Sequence, residues 1–566
     1  MSSVSLFATL ASPTSFVALI TAAASVFYML LAQWTPTARD RRCSSSNRKS
    51  LWTLPCPAST LPILGNTLDT LITHRDRIYD WETEQYELLK GPWRLHILGY
   101  GHSVVIASPK LMEDVLETQF ELFPKDDGMC TIFRDFFGRG IFAVNGDEWQ
   151  HHREQASTLF SFQMFKHVMH EVVSEKVHTL RRVLTQYEAR REAVSLRRVL
   201  SHFTGDVFSK IGFGIERRCM ENGVNGYMLD DFVEASETIS QVLFARFLQP
   251  MWLWKVKRFF NLGDEKKLKK SIRFLDFLMY NIINESIAKS SRRRRSTEVS
   301  NNLSMQALVA GPRRDLISMF MESNVRTDAI DVEAIRDLVV SFISSGTETT
   351  SQGLSFFIVM MNRYPRVLRK IRDELRLKLP GLMLRNDHDG DSGGDGFEVP
   401  SMQDLSCLIY LEAAIRENLR LNPPVAITTR AATADTILSD GTFVPKGTRV
   451  ILCLYAALRQ KSVWGDDANE FRPERWIDPA TGSLLTMSPF QFPVFAAGPR
   501  VCLGRKLAMM EMKMLAAVIL SKFDITTVEN PWDLTYEGGL AVSVKGPLMV
   551  NVSRVGRGTR KPADST

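Results

Sequence analysis

Near the C-terminus, Phe495-Ala496-Ala497-Gly498-Pro499-Arg500-Val501-Cys502-Leu503-Gly504 reads as a loop that presents one cysteine to a metal. Gly498 and Pro499 force a turn, and Gly504 lets a following backbone approach closely. From Lys506 to Leu520 apolar residues recur at helical spacing (Leu507, Met510, Met514, Val518), which puts Cys502 at a helix N-terminus. There the dipole and the unpaired backbone N–H groups favour a thiolate, the form that binds metal. Phe495 can cover the sulfur, and Arg500 can reach an anionic group on a cofactor. For a lone cysteine, a buried structural role beside a Gly-Pro turn is the competing reading.

A second unusual stretch lies in a long apolar helix that starts near Asp331 and ends at Pro365. Its centre, Ser344-Ser345-Gly346-Thr347-Glu348-Thr349-Thr350, places small, hydroxylated and acidic side chains where packing alone prefers leucine. Small residues leave a gap able to hold dioxygen, and hydroxyls bonding back to preceding carbonyls can open the helix locally. A plain kink with a buried glutamate is the alternative. Trp149 and Arg153, four apart on one helix face, can both donate to a carboxylate, although packing or a cation–π contact also suits them. The neighbouring His151 and His152 are expected in solvent. Glu417 and Arg420 face together at i and i+3, and Phe471-Arg472-Pro473-Glu474-Arg475-Trp476 supplies a further arginine. Either piece alone could be an ordinary surface ion pair. Arg430 precedes a hairpin whose turn is Asp440-Gly441.

The spacing Phe-x-x-Gly-x-Arg-x-Cys-x-Gly resembles the haem-binding signature of the cytochrome P450 family, and six segments in that family's order run from about residue 54 to 550. The resemblance implies a mainly α fold with small β-sheets, haem b lying between the long helix and the cysteine loop, and the Cys502 thiolate as axial iron ligand. It implies propionate contacts for Trp149, Arg153 and Arg430, and a structural Glu417, Arg420 and Arg475 triad behind the cysteine loop. Glu348 and Thr349 resemble the family's acid–alcohol pair, with Thr349 hydrogen-bonding dioxygen and a water, and Glu348 relaying protons from solvent. Ser345 departs from the usual Ala or Gly; some relatives carry there a glutamate esterified to the haem, so covalent haem is not expected. The implied reaction is monooxygenation, with electrons from NADPH delivered by a flavoprotein reductase that docks on a basic face including Arg505 and Lys506.

Within that family, GRGIFAVNGDEWQHHREQAS, ARFLQPMWLWKVKRFFNLGDEKKLKKSI and IRDLVVSFISSGTETTSQGLSFF look like plant and fungal fatty-acid and alkane hydroxylases. That implies a long-chain fatty acid oxidised at or near its terminal methyl. Sterol or terpenoid hydroxylation is the alternative. A haem-thiolate isomerase or dehydratase, or a non-enzymatic haem sensor, would need no acid–alcohol pair.

The chain's 566 residues contain no long flexible linker after the first sixty, and 45% hydrophobic with 23% charged residues is the composition of a globular protein with a substantial core. A formal charge of +7 suits an anionic membrane or an acidic protein and is too mild to argue for nucleic acid. Seven cysteines without close pairs suggest neither a disulfide framework nor a zinc site. Four regions are expected: a membrane anchor at 1–34, a basic and proline-rich hinge at 35–66, the catalytic domain at 67–552 and a basic disordered tail at 553–566. Phe16 to Trp34 is uncharged and long enough to span a bilayer, with Arg39, Arg41, Arg42, Arg48 and Lys49 behind it. The positive-inside rule then puts the catalytic domain in the cytosol, on a single-pass anchor in the endoplasmic reticulum membrane. Prolines make 54–66 stiff and extended. The aromatic and basic run at 244–260 suits a membrane interface or core packing. Residues 291–312 read as a basic disordered loop. Asp387 to Glu398 partly matches a calcium loop, a match that flexible acidic segments also produce.

Overall fold

A computed structural model describes residues 49–159, 169–222, 227–299, 331–383 and 398–555. The longer helices are, in chain order, α1 (Ile78–Leu89), α2 (Asp127–Phe137), α3 (Gly146–Leu159), α4 (His170–Arg190), α5 (Leu196–Phe213), α6 (Tyr227–Phe247), α7 (Met251–Phe259), α8 (Asp264–Val299), α9 (Val332–Arg363), α10 (Pro365–Lys378), α11 (Ile409–Leu421) and α12 (Arg505–Lys522). The strands are β1 (Trp93–Ile97), β2 (Gly101–Ile106), β3 (Val194–Ser195), β4 (Ile427–Ala431), β5 (Thr436–Ile437), β6 (Phe443–Val444), β7 (Arg449–Cys453), β8 (Phe523–Thr527), β9 (Tyr536–Glu537), β10 (Ser543–Val544) and β11 (Met549–Arg554).

Helix α9 is the axis around which these elements pack. Asp331 caps it by accepting the Ala334 N–H, and the chain turns at Tyr364, because proline at 365 disfavours helical backbone in the residue before it. Leucine, isoleucine, valine, phenylalanine and methionine along it are buried against α5, α8, α11 and α12. The helix runs unbroken through 344–350, so the local opening expected there does not occur. Ser345 donates to the Phe342 carbonyl (3.1 Å), Thr349 to Ser345 (2.7 Å) and Ser351 to Glu348 (3.0 Å). Each carbonyl has a second lone pair, so these bonds add to the helical ladder without replacing it. Gly346 is also not an empty gap, because the Phe208 ring of α5 occupies the place a side chain would take. Its smallness lets two helices approach.

The main sheet has the order β1-β2-β7-β4; β2 and β7 are parallel (Ser103 opposite Arg449) and the other neighbours antiparallel. The β1–β2 hairpin and the helix opened by Pro109 lie where periodicity places them. The Asp440-Gly441 turn joins β5 to β6, with Leu438 donating to Thr442. A second sheet, β3-β11-β8, closes the C-terminal side.

Two expectations are corrected. The described part of the proline-rich segment is not extended: it folds back in turns against β1, with Arg94 N–H donating to the Pro55 carbonyl and Asn66 N–H to the His96 carbonyl. Its backbone groups, the Pro55 carbonyl as acceptor and the Asn66 N–H as donor, find sheet partners there, which outweighs the stiffness of isolated prolines. The basic run at 291 is helical as far as Val299, because arginine is a good helix former and α8 already supplies the nucleus. The Phe16 to Trp34 stretch, the rest of the basic segment to 312, the acidic insertion up to 397 and the tail from 556 fall outside the described residues. Among the described residues no helix is long and apolar enough to cross a membrane.

Candidate active site

Cys502 sits between two short turns and α12. Pro493–Phe495 and Gly498–Arg500 form single helical turns, and the Cys502 N–H donates to the Phe495 carbonyl (2.8 Å), which closes the loop. Gly498 has a φ of +65°, and the Leu116 carbonyl occupies the space of any side chain at that position. Only glycine satisfies both constraints. The N–H groups of Gly504 and Arg505 and the charges of Arg153 and Arg505 favour the thiolate, as the helix N-terminus suggests. Desolvation by the surrounding loop outweighs them and pushes the thiol above its usual range, although Cys502 itself presents exposed surface. This reverses the sequence expectation for the free sulfur, because a cation bound to it is needed to complete the stabilisation of the anion. Phe495 is half-buried beside Arg505, 5.8 Å from ring centroid to guanidinium.

A cluster of cations lies against the same loop. Arg500 stacks over the Trp149 ring at 4.1 Å and donates to Asn145 Oδ1 (3.0 Å), while two of its nitrogens, Nε and Nη1, are buried without a partner. Arg430, on β4, is buried with its Nε likewise unpartnered. Lys125 is buried as well and donates to the carbonyls of Ile141 (3.3 Å) and Phe142 (2.8 Å). Desolvation first, then mutual repulsion, depresses these groups: Arg500 to about 9 and Lys125 well below the usual lysine range. Burial alone lowers Arg430 to about 10. Among the described residues these three cations, Lys125 and Arg430 buried and Arg500 half-buried, have no carboxylate partner, and the unused donors of Arg430 and Arg500 fit a group that brings its own two carboxylates.

Of the sequence-predicted residues, Trp149, Arg430, Arg500, Phe495 and Cys502 converge here. Arg153 instead donates to the Val501 carbonyl (2.5 Å), one residue from the cysteine. His151 is exposed as expected, but His152 is half-buried, and desolvation lowers its pKa. Lys125 was missed by sequence reasoning. The only signal was a lysine directly after the Phe123-Pro124 pair, and nothing in its spacing points to β4 or the cysteine loop.

On α9, Thr349 Oγ1 is committed to the Ser345 carbonyl, leaving its oxygen lone pairs as acceptors. Glu348 lines a largely apolar cavity and accepts a hydrogen bond from Ser240; desolvation, together with the like charge of Glu237, raises its carboxyl to about 8, which favours the protonated form near neutral pH. Behind the loop, Glu417 is fully enclosed. It takes a bidentate pair from Arg420 (2.8 and 2.9 Å), Arg475 Nε (2.8 Å), the Trp476 indole N–H (2.9 Å) and the Arg472 backbone N–H (3.0 Å).

A thiol loop, a nest of buried cations and a protonated acid on the helix packed against α12 define an oxidoreductase site built for an anionic metal cofactor held by cysteine. A family model described as cytochrome P450 matches residues 55–552. Among curated proteins, the chain is 34% identical to cytochrome P450 94C1 of Arabidopsis thaliana over 84% of its own length and 88% of the relative's. It is 34% identical to cytochrome P450 CYP94D108 of Paris polyphylla (87% and 92% covered) and 31% identical to cytochrome P450 94A1 of Vicia sativa (78% and 81%). The chain belongs to the cytochrome P450 family. It is a monooxygenase whose cofactor is haem with thiolate-ligated iron, supplied with NADPH electrons through a reductase. The fold is that family's, mainly helical with small sheets in a single large domain.

Proposed function

We propose that this enzyme hydroxylates a long-chain fatty acid at or near its terminal methyl. The three segments that look like plant and fungal fatty-acid and alkane hydroxylases support the substrate class. The observation that carries the site assignment is the convergence of Cys502 with buried cations that lack anionic partners. Cys502 would hold the iron; Lys125, Arg430 and Arg500 would hold the propionates, with Trp149 and Arg153 bracing the loop. Haem held by these residues would supply the activation of dioxygen with two electrons and two protons, one oxygen atom going into a substrate C–H bond and the other leaving as water. The protein's own part is positional and protonic. Thr349, its hydrogen engaged by Ser345, accepts from a water and orients it, while Glu348 holds a proton at the same level of the helix.

In this reading the catalytic domain spans 67–552 behind an anchor at 1–34 and a hinge at 35–66, and faces the cytosol at the endoplasmic reticulum. An exposed apolar face supports contact with a membrane: Trp252, Val256, Phe259 and Phe260 of α7 and its C-terminal end, together with Leu64, Leu68 and Ile72. Thr70 donates to the Leu248 carbonyl (3.1 Å) and ties the two segments together. Exposed Arg505 and Lys506 suit an acidic reductase.

The test is turnover with reductase, NADPH and mixed long-chain fatty acids, with mass spectrometry to place any new hydroxyl. A terminal or near-terminal hydroxyl is expected. NADPH oxidation with no fatty acid changed would overturn the substrate and direct the search to sterols and terpenoids. In the same assay Thr349→Ala diverts most of the NADPH consumed into peroxide; unchanged coupling would remove Thr349 from the role given it.

A further inference from the structure

Glu348 reaches the outside through a cavity with room of about 50 Å³, enough for a few waters. Helix α2, through the uncharged Phe136, helices α5, α6, α8 and α9, and the segment from the end of β9 into β10 bound it. Its ionisable groups are Glu348 from α9, Glu237 from α6 and Arg197 from α5. The α8 wall is Leu275 and Met279, and the β9–β10 segment contributes Gly538, Gly539, Ala541 and Ser543, so neither adds charge. Arg197 is buried and fixed by its Nη1, which donates to both the Val544 (3.0 Å) and Gly546 (2.9 Å) carbonyls; its Nη2 pairs with Glu237. The Glu237 side chain is 38% exposed and therefore meets solvent as well as the cavity. Ser240 accepts the Leu540 N–H (2.9 Å), which leaves its single hydrogen for Glu348.

We propose that Glu237 is the solvent-side carboxylate of a two-carboxylate proton entry to Glu348, with Arg197 as the positioning residue that keeps it at the cavity mouth. The proposal rests on Glu348 being the acid of the reaction. Glu348, protonated at rest, releases its proton toward Thr349 and becomes a carboxylate. The Glu237 carboxylate takes a proton from bulk solvent and passes it through cavity water to Glu348, so that both carboxyls return to their starting forms. Division of labour follows from placement. An enclosed carboxyl holds its proton but exchanges poorly with bulk water, whereas a half-exposed one tethered to a fixed guanidinium exchanges freely and stays aimed inward.

The test reads the Glu348 carboxyl directly in the ferric holoenzyme. Its infrared C=O band is assigned by its loss in Glu348→Gln, then followed through pH titration and through hydrogen–deuterium exchange after a rapid switch to heavy water. Glu237→Gln removes a like charge and the outer relay, so the titration midpoint falls and exchange slows by about tenfold or more. Glu237→Asp, which keeps the carboxylate, retains most of the exchange rate and guards against a folding failure in the amide variant. An unchanged midpoint and exchange rate in Glu237→Gln would overturn the proposal, even with a lowered melting temperature, since the ion pair would then be structural only. If Glu348→Gln leaves peroxide formation per NADPH at the wild-type level, it is the assignment of Glu348 as the acid that fails, independently of Glu237.

Discussion

At Lys125 the energetic sign of one side chain depends on what is bound beside it. An ammonium enclosed with Arg430 and Arg500 costs stability through desolvation and repulsion, and two backbone carbonyls offset only part of this. Two carboxylates placed among the three cations reverse the balance. Lys125→Met is therefore expected to raise the stability of the haem-free protein while weakening haem retention by roughly tenfold to a hundredfold, the worth of one charged hydrogen bond. Denaturant unfolding of the apoprotein and haem transfer to a scavenging globin measure the two halves. A fall in both would make Lys125 a packing residue. Cys502 and Arg500 were legible as a pair because one ten-residue loop carries both. Lys125 was not, since its partners come from distant parts of the chain.

Among the elements, α11 meets the layer behind the cysteine loop through Arg420 bonds to the Leu458, Ala468 and Glu470 carbonyls and through one carboxylate that several donors share. Glu417 is fully enclosed and satisfies Arg420, Arg475, Trp476 and a backbone N–H. Glu417→Ala leaves two guanidinium groups buried without their shared anion and is expected to destabilise the protein by about 3–5 kcal/mol. Glu417→Gln retains the acceptor oxygen and should lose less. Denaturant midpoints of the two variants check this; a loss below about 1 kcal/mol for alanine would mean that the surrounding carbonyls, with Asp467 beside Arg475, hold the arginines without Glu417. The i, i+3 pairing of Glu417 with Arg420 follows from helical periodicity, and the Arg475 segment stands out in the sequence. The indole bond from Trp476 depends on how the 473–476 turn docks, which no local pattern specifies.

For the whole molecule, orientation at a bilayer is the property that individual residues do not show. Phe259 is 82% exposed, Ile72 72% and Trp252 54%, and the segments bearing them are tied together through Thr70 and Leu248. Apolar side chains of this size favour a hydrocarbon boundary by about 1.5–3 kcal/mol each when fully buried. In proteoliposomes of full-length enzyme, acyl-brominated lipid is expected to quench Trp252. In a Trp34→Phe background, which removes the tryptophan of the anchor, Trp252→Phe should remove most of the quenchable emission, and Trp532→Phe, a similarly exposed tryptophan elsewhere on the surface, should remove little. The opposite pattern would place a different face on the membrane.

What the sequence by itself determined is local. The turn and glycine constraint of the cysteine loop, the capped start and proline stop of α9, the Asp440-Gly441 hairpin and the i, i+3 ion pair each rest on residues within about one or two turns of each other. Backbone sterics and helical periodicity suffice there. Tertiary structure alone decided the rest. It set Phe208 against Gly346, so that a supposed gap became a helix contact; it brought Lys125 to Arg430; and it enclosed Glu348 with Glu237 in one cavity. In each case the effect is desolvation or close packing between segments remote in sequence, and neither quantity exists until those segments meet.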